Sequence, residues 1–135
     1  MTDTLRLEIV SPERLLKDTT AAQVVVPGTD GDFAVLPAHA PMMSTIRPGV
    51  IEIFADEAGD AERLFVKGGL AQVSPEGLTL LAEETIDLGS VDSSDLAQKI
   101  AAVREDIEDA KDDVEKAGFE KDLDWMLALQ DVVAS

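Results

Sequence analysis

Reactive side chains are scarce in this chain, and their setting decides what they can do. His39 is the only histidine and there is no cysteine, which excludes thiol nucleophiles, thiolate metal sites and disulfides together. A Ser-His-acid triad would have to pair His39 with a serine such as Ser11, Ser44, Ser74, Ser90, Ser93 or Ser94. None of these lies in a Gly-x-Ser-x-Gly turn or a comparable nucleophile setting. Asp30-Gly31-Asp32 puts two carboxylates in a turn, yet the other ligands of a calcium loop and its closing Glu are missing, so it reads as a solvated acidic loop. The run Pro27-Gly28-Thr29-Asp30-Gly31-Asp32 lacks the Gly-Lys-Ser/Thr ending of a phosphate loop, and its aspartates repel phosphate. Glu83-Glu84 and Asp112-Asp113 are adjacent, and adjacent side chains diverge on a strand or a helix, so neither is a general acid/base couple. Met42-Met43 reads as core packing, with an adaptable contact surface as the alternative. These residues call for no cofactor and no metal, and the protein is expected to be non-enzymatic.

Charge narrows the partners. Across 135 residues, 28 acidic side chains oppose 11 basic ones, a net charge of −17. Dispersed bases under so many carboxylates repel a polyphosphate, so nucleic-acid binding is disfavoured. The composition is 45% hydrophobic but only 4% aromatic, enough for a packed core that must be mostly aliphatic. Met1 to Glu8 carries acids where a signal peptide has a basic start. No apolar run approaches the roughly 20 residues that span a bilayer. A soluble protein is expected, reaching a membrane only through a partner.

Up to about residue 86, short apolar runs alternate with turn residues. Leu5, Leu7 and Ile9 alternate with Arg6, Glu8 and Val10 before Ser11-Pro12. Val24-Val25-Val26, Phe33-Ala34-Val35-Leu36, Gly49-Val50-Ile51-Glu52-Ile53-Phe54, Leu64-Phe65-Val66, Leu70-Ala71-Gln72-Val73 and Leu78-Thr79-Leu80-Leu81-Ala82 follow, separated by Pro, Gly and acidic turns such as Asp56-Glu57-Ala58-Gly59-Asp60. Lys67-Gly68-Gly69 reads as a turn or bulge where backbones approach closely. Seven to ten strands at this spacing predict an antiparallel β-sandwich or barrel over residues 1–88.

The period then changes. Leu96, Ile100, Val103, Ile107, Ala110, Val114 and Ala117 recur at steps of four and three, the narrow seam of a helix facing one other helix. Asp92 followed by Asp95 resembles a helix start, and Gly118 a helix stop. Phe119, Leu123, Met126, Leu127 and Val133 form a second stripe. An α-helical antiparallel hairpin is therefore expected over residues 89–135, with helices near 93–117 and 120–133.

The stretch Gly31-Asp32-Phe33-Ala34-Val35-Leu36-Pro37-Ala38-His39-Ala40-Pro41-Met42-Met43-Ser44-Thr45-Ile46-Arg47-Pro48-Gly49 resembles the signature of the ε (epsilon) subunit of bacterial F-type ATP synthases, equivalent to the mitochondrial δ subunit. Leu7-Glu8-Ile9-Val10-Ser11-Pro12, Val66-Lys67-Gly68-Gly69 and Leu80-Leu81-Ala82-Glu83 support it. The resemblance implies a sandwich of about ten strands followed by a helical hairpin. It also implies a non-catalytic rotor subunit of the central stalk, linking the γ subunit to the membrane c-ring so that proton-driven rotation is coupled to ATP synthesis. The implied place is peripheral, on the cytoplasmic face of the bacterial inner membrane. Residues 29–32 and 38–41 match the ring-contacting loops, which makes Asp30, Gly31, Asp32 and His39 the ring-contact candidates; His39 could equally serve to shape its own loop.

In many members of that family the hairpin opens, enters the α and β subunits of the catalytic head and blocks ATP hydrolysis, and in some a bound ATP holds it closed. The family motif reads Ile/Leu-Asp-x-x-Arg-Ala, and the matching stretch here is Val91-Asp92-Ser93-Ser94-Asp95-Leu96, with Asp95 where the arginine would stand. From Val91 onward five bases (Lys99, Arg104, Lys111, Lys116 and Lys121) face thirteen acids. A hairpin that neither binds ATP nor inhibits strongly is expected. The competing expectation is a free acidic regulatory or adaptor module that docks its hairpin on a basic partner.

Overall fold

Alternation of apolar and polar residues builds the first part of the protein, as seen in a computed structural model that describes residues 4–56 and 59–134. Met1 to Asp3, Glu57, Ala58 and Ser135 lie outside them, and with them two residues of the acidic connection expected at Asp56 to Asp60 and the N-terminal end read for a signal peptide. The strands are β1 (Leu5–Val10), β2 (Leu15–Ala21), β3 (Gln23–Gly28), β4 (Gly31–Val35), β5 (Met42–Ile46), β6 (Gly49–Phe54), β7 (Ala61–Val66), β8 (Gly69–Ser74), β9 (Gly77–Ala82) and β10 (Thr85–Asp87). They form one sheet in the order β10-β7-β6-β3-β5-β8-β9-β1-β2, with β4 also paired to β3.

The sheet turns over on itself at β3. Residues Gln23 to Val25 pair with β6 while Gly28 pairs with Ile46 of β5, so one strand passes from one layer to the other. Leu7, Ile9, Val24, Val26, Ile51, Phe65 and Leu80 have no exposed surface, and no polar or charged side chain is buried among the described residues. That aliphatic interior matches the expected core. Lys17 on β2 and Glu62 on β7 form an ion pair at 3.0 Å. One pairing departs from an all-antiparallel sandwich: β1 runs parallel to β9, Leu7 opposite Leu78. The strands between them lead the backbone round so that β9 enters beside β1 in the same direction.

The Lys67-Gly68-Gly69 turn is a close approach. Gly69 has φ +155, and a Cβ there would collide with the Leu81 carbonyl oxygen of the neighbouring strand.

The protein divides between Asp87 and Leu88. After a 3-10 turn at Leu88–Ser90, the second unit contains α1 (Ser93–Glu108) and α2 (Asp113–Ala134), which pack against each other. Asp92 caps α1, its Oδ1 accepting from Ser94 N at 2.8 Å and Asp95 N at 3.1 Å.

The boundary between the helices is not where the seam predicts. Helix α1 ends at Glu108, and Gly118 lies inside α2. Two local effects override the repeat. Glu105, Asp106 and Glu108 crowd the negative end of α1, with no base in its last turn. Asp112 then starts α2: its Oδ1 accepts from Glu115 N at 2.8 Å, and Glu115 Oε2 accepts from Lys111 N at 3.4 Å, a reciprocal cap. The supposed seam residue Val114 is 84% exposed. Leu96, Ile100 and Val103 of α1 and Met126 of α2 are buried as the stripes predict, and so is Leu129, which was absent from them.

Candidate interaction site

The residues singled out in sequence fall at three places. Thr29 and Asp30 form a two-residue turn between β3 and β4, closed by the Gly28–Gly31 pair. Gly31 takes φ +131, a conformation that suits glycine. The turn is tied to β5: Thr29 N donates to Thr45 O at 3.1 Å, and the Thr29 and Thr45 hydroxyls lie 2.7 Å apart. Asp32, the second residue of β4, accepts from Arg47 Nη2 at 2.6 Å, while Arg47 Nη1 donates to Gly28 O at 2.6 Å. Asp30 makes no hydrogen bond or ion pair among the described residues and stands exposed.

His39 is elsewhere. Strand β4 leads the backbone away from the turn over Gly31–Val35, and β5 brings it back to pair with Gly28. At about 3.3 Å per residue, the loop of residues 36–41 stands ~13 Å or more from the turn. There His39 N donates to Leu36 O at 3.2 Å, and ring Nδ1 lies 2.7 Å from Ala40 O. A carbonyl can only accept, so Nδ1 carries the proton. Ala38 beside it adopts φ 62. The histidine thus braces its own loop, and the structure brings Asp30, Gly31 and Asp32 together but not His39 with them.

Asp92 and Asp95 occupy the third place, the N-terminus of α1. Two of the amides that could hold an anion there, those of Ser94 and Asp95, are taken by the Asp92 carboxylate, and Asp95 adds a second negative charge in the first turn.

Sequence reasoning missed an outward apolar row. Strand register sets Leu70 of β8 opposite Leu81 of β9, Leu81 opposite Val10 of β1, and Val10 opposite Leu15 of β2. A bulge between Ile9 and Val10 lets Leu15 turn out while Leu16 packs on the core. Leu15 is 52% exposed and Leu81 43%. The signal was present in Leu80-Leu81-Ala82, where a strict alternation would put a polar residue at 81. On the same layer, Arg6 and Asp18 join β1 to β2 at 3.1 and 3.3 Å. That hydrogen bond, reinforced by the opposite charge, holds the Asp18 carboxyl below its ordinary range and raises Arg6.

None of these groups converges as an active site does. A groove of about 500 Å³ between the β1–β2 turn and the start of β10 is lined by Ser11, Arg14, Glu83 and Glu84, all at the surface. Among the described residues no group of three His, Cys, Asp or Glu side chains could hold a metal ion. Two surface features stand out: a braced acidic turn and an exposed apolar row.

Comparison with known proteins bears on what is recognised. Residues 4–87 match the family model described as ATP synthase, Delta/Epsilon chain, beta-sandwich domain, and residues 92–135 match the model for the C-terminal domain of the ATP synthase epsilon chain. The ATP synthase epsilon chain of Rhodospirillum centenum is 48% identical over an alignment of 139 residues covering 100% of this chain and 95% of that protein. That of Parvibaculum lavamentivorans is 42% identical over 133 residues, covering 98% and 100%. A subunit in the Euglena gracilis mitochondrial ATP synthase structure (OSCP/F1/c-ring) superposes with TM-score 0.81 at 20% identity, covering 96% of this chain and 81% of that one. A subunit of the Tetrahymena thermophila mitochondrial ATP synthase central stalk/c-ring structure gives 0.63 at 8% identity, covering 98% of each. At these identities the two structures bear on fold alone.

Proposed function

The protein belongs to the ATP synthase epsilon family, and from that premise we propose that it works as a non-catalytic rotor subunit, joining the γ subunit to the membrane c-ring and transmitting rotation between them. The observation that carries this reading is the outward row Leu70, Leu81, Val10 and Leu15, apolar residues in register on a sheet face that water would otherwise wet. The γ subunit is the partner proposed to cover it. The acidic turn at Asp30, Gly31 and Asp32 is proposed to meet the polar loops of the ring, where a charge gives register more than affinity. His39, on its separate loop, is assigned the shaping of that loop. Attachment to the cytoplasmic face of the bacterial inner membrane would then run through the complex; no helix among the described residues is long and apolar enough to cross a membrane.

Replacing Leu81 by Lys tests the reading. An outward substitution changes stability by about 0.5 kcal/mol or less, so the variant keeps its circular dichroism and melting temperature. It fails to co-purify with γ. A variant that folds and still binds γ as the parent does removes the apolar row from the interface.

For the hairpin we propose neither ATP sensing nor strong inhibition. The capping carboxylate of Asp92 and the charge of Asp95 oppose a phosphate at α1, and the hairpin's excess of acids opposes an acidic subunit surface. Saturable binding of MgATP in a calorimetric titration at low millimolar concentration contradicts the first statement. Strongly raised ATPase activity on deleting residues 91–135 contradicts the second. The adaptor alternative predicts a monomer that stays apart from the synthase on purification.

A further inference from the structure

The turn that offers Asp30 is held by a residue outside it. Arg47, in the link between β5 and β6, uses three donors. Its backbone N–H reaches Pro27 O at 2.9 Å, Nη1 reaches Gly28 O at 2.6 Å, and Nη2 reaches Asp32 Oδ1 at 2.6 Å. The guanidinium fork therefore spans both strands of the hairpin, one prong on the carbonyl that closes β3 and one on the carboxylate near the start of β4. A lysine ammonium is a point charge without that fixed fork.

The same contact divides two aspartates that look alike in sequence. Asp32 is compensated by a cation at ion-pair distance. Asp30 is exposed and makes no hydrogen bond or ion pair among the described residues. The rest of the bracing, Thr29 to Thr45, keeps the tip against β5.

We propose that Arg47 is a positioning residue for the ring contact: it fixes the direction in which the turn presents Asp30 and lowers the charge of the tip from two to one. This rests on the reading of the turn as ring-facing. The partner it suits is a polar loop offering a single cation or amide donor to one carboxylate. An arginine cluster built for two would leave a charge unmatched.

The test uses the full-length protein, alone and in the reconstituted membrane complex, with R47A, R47K and D30N. In the isolated protein, amide exchange at Thr29 speeds about tenfold in R47A and R47K, equivalent to about 1.4 kcal/mol, and is unchanged in D30N. In the complex, proton pumping per ATP hydrolysed falls in all three variants, while co-purification with γ and hydrolysis by the soluble complex stay at the parent level. R47K matching the parent in both exchange and pumping overturns the proposal, since the fork would then be unnecessary. So does R47A losing γ binding along with pumping, which assigns Arg47 a general structural role. Reduced pumping in D30N but not in R47A defeats the positioning role alone. Unchanged pumping in D30N and R47A together defeats the ring-facing reading beneath it.

Discussion

Replacing Gly118 by Ala should stabilise the helical unit, and the sign of the effect decides where α2 begins. Gly118 lies six residues into α2, with a φ outside the left-handed region and nothing within 4 Å of where a Cβ would stand. The methyl group meets no clash and displaces no contact. What changes is the backbone entropy and helix propensity of an exposed interior position, where Ala exceeds Gly by about 0.8–1.0 kcal/mol. If Gly118 instead ended a helix in the left-handed conformation, Ala would cost about 1–2 kcal/mol. Trp125 is the only tryptophan and sits on α2, its Nε1–H donating to Asp122 Oδ1 at 3.3 Å, so its fluorescence in urea follows this unit. With a slope near 1 kcal/mol/M the midpoint rises by about 1 M. D112A, which removes the cap on Glu115 N, should shift it down by a similar amount, about 1 kcal/mol. A lower midpoint for G118A with no change for D112A would refute the boundary at 113 and restore the one at 118.

Three further outcomes follow from the geometry. G69A should cost about 3 kcal/mol or more, because both its φ and the Leu81 carbonyl oppose a side chain; thermal unfolding of the sandwich measures it. D92A should lower the melting temperature of the hairpin by the equivalent of about 1 kcal/mol, having lost the acceptor for two amides. D18N should be less stable than the parent at neutral pH, with the difference vanishing in acid. A carboxyl whose folded pKa lies below the ordinary 3.8 contributes above that value and loses its contribution as pH falls through the lower folded one. A gap in melting temperature that persists well below pH 3.8 contradicts that assignment.

The sandwich was legible wherever one strand face is buried, because alternation is then enforced by the core. Leu5, Leu7 and Ile9 of β1 and Leu78 and Leu80 of β9 are cases, all essentially inaccessible. Strand β2 was not legible: it lies at the sheet edge and reads Leu-Leu-Lys-Asp-Thr-Thr-Ala, with polar residues on both faces. Short β10, also at a sheet edge, was hidden for a related reason, and β5 because its Met42-Met43 do not alternate and stand exposed instead of packing in the core as expected. The hairpin was legible as a pair of helices, but its turn was not. The seam residues continue in step past residue 109, and only the Asp112 to Glu115 spacing marks the start that won. Of the candidate site, the residue types at the turn were visible and their separation from His39 was not, since that depends on which way β4 runs. Arg47 stood in the matched motif without any sign that its fork would close on Gly28 and Asp32. The apolar row needed the register of four strands from distant parts of the sequence.

The parallel pairing of β1 with β9 sets an order on biosynthesis. Leu7 waits for Leu78, about seventy residues later, so this contact has high contact order and its loop must close before anything is gained. Until β9 leaves the ribosome, β1 has only β2 beside it, and an isolated two-stranded hairpin is marginal in water. Leu5, Leu7 and Ile9 then lack their neighbour on one side. The sandwich should therefore close late and in one step. Nascent polypeptides arrested before Ala82 has emerged should be cut by protease within β1 and β2, and those arrested after it should resist.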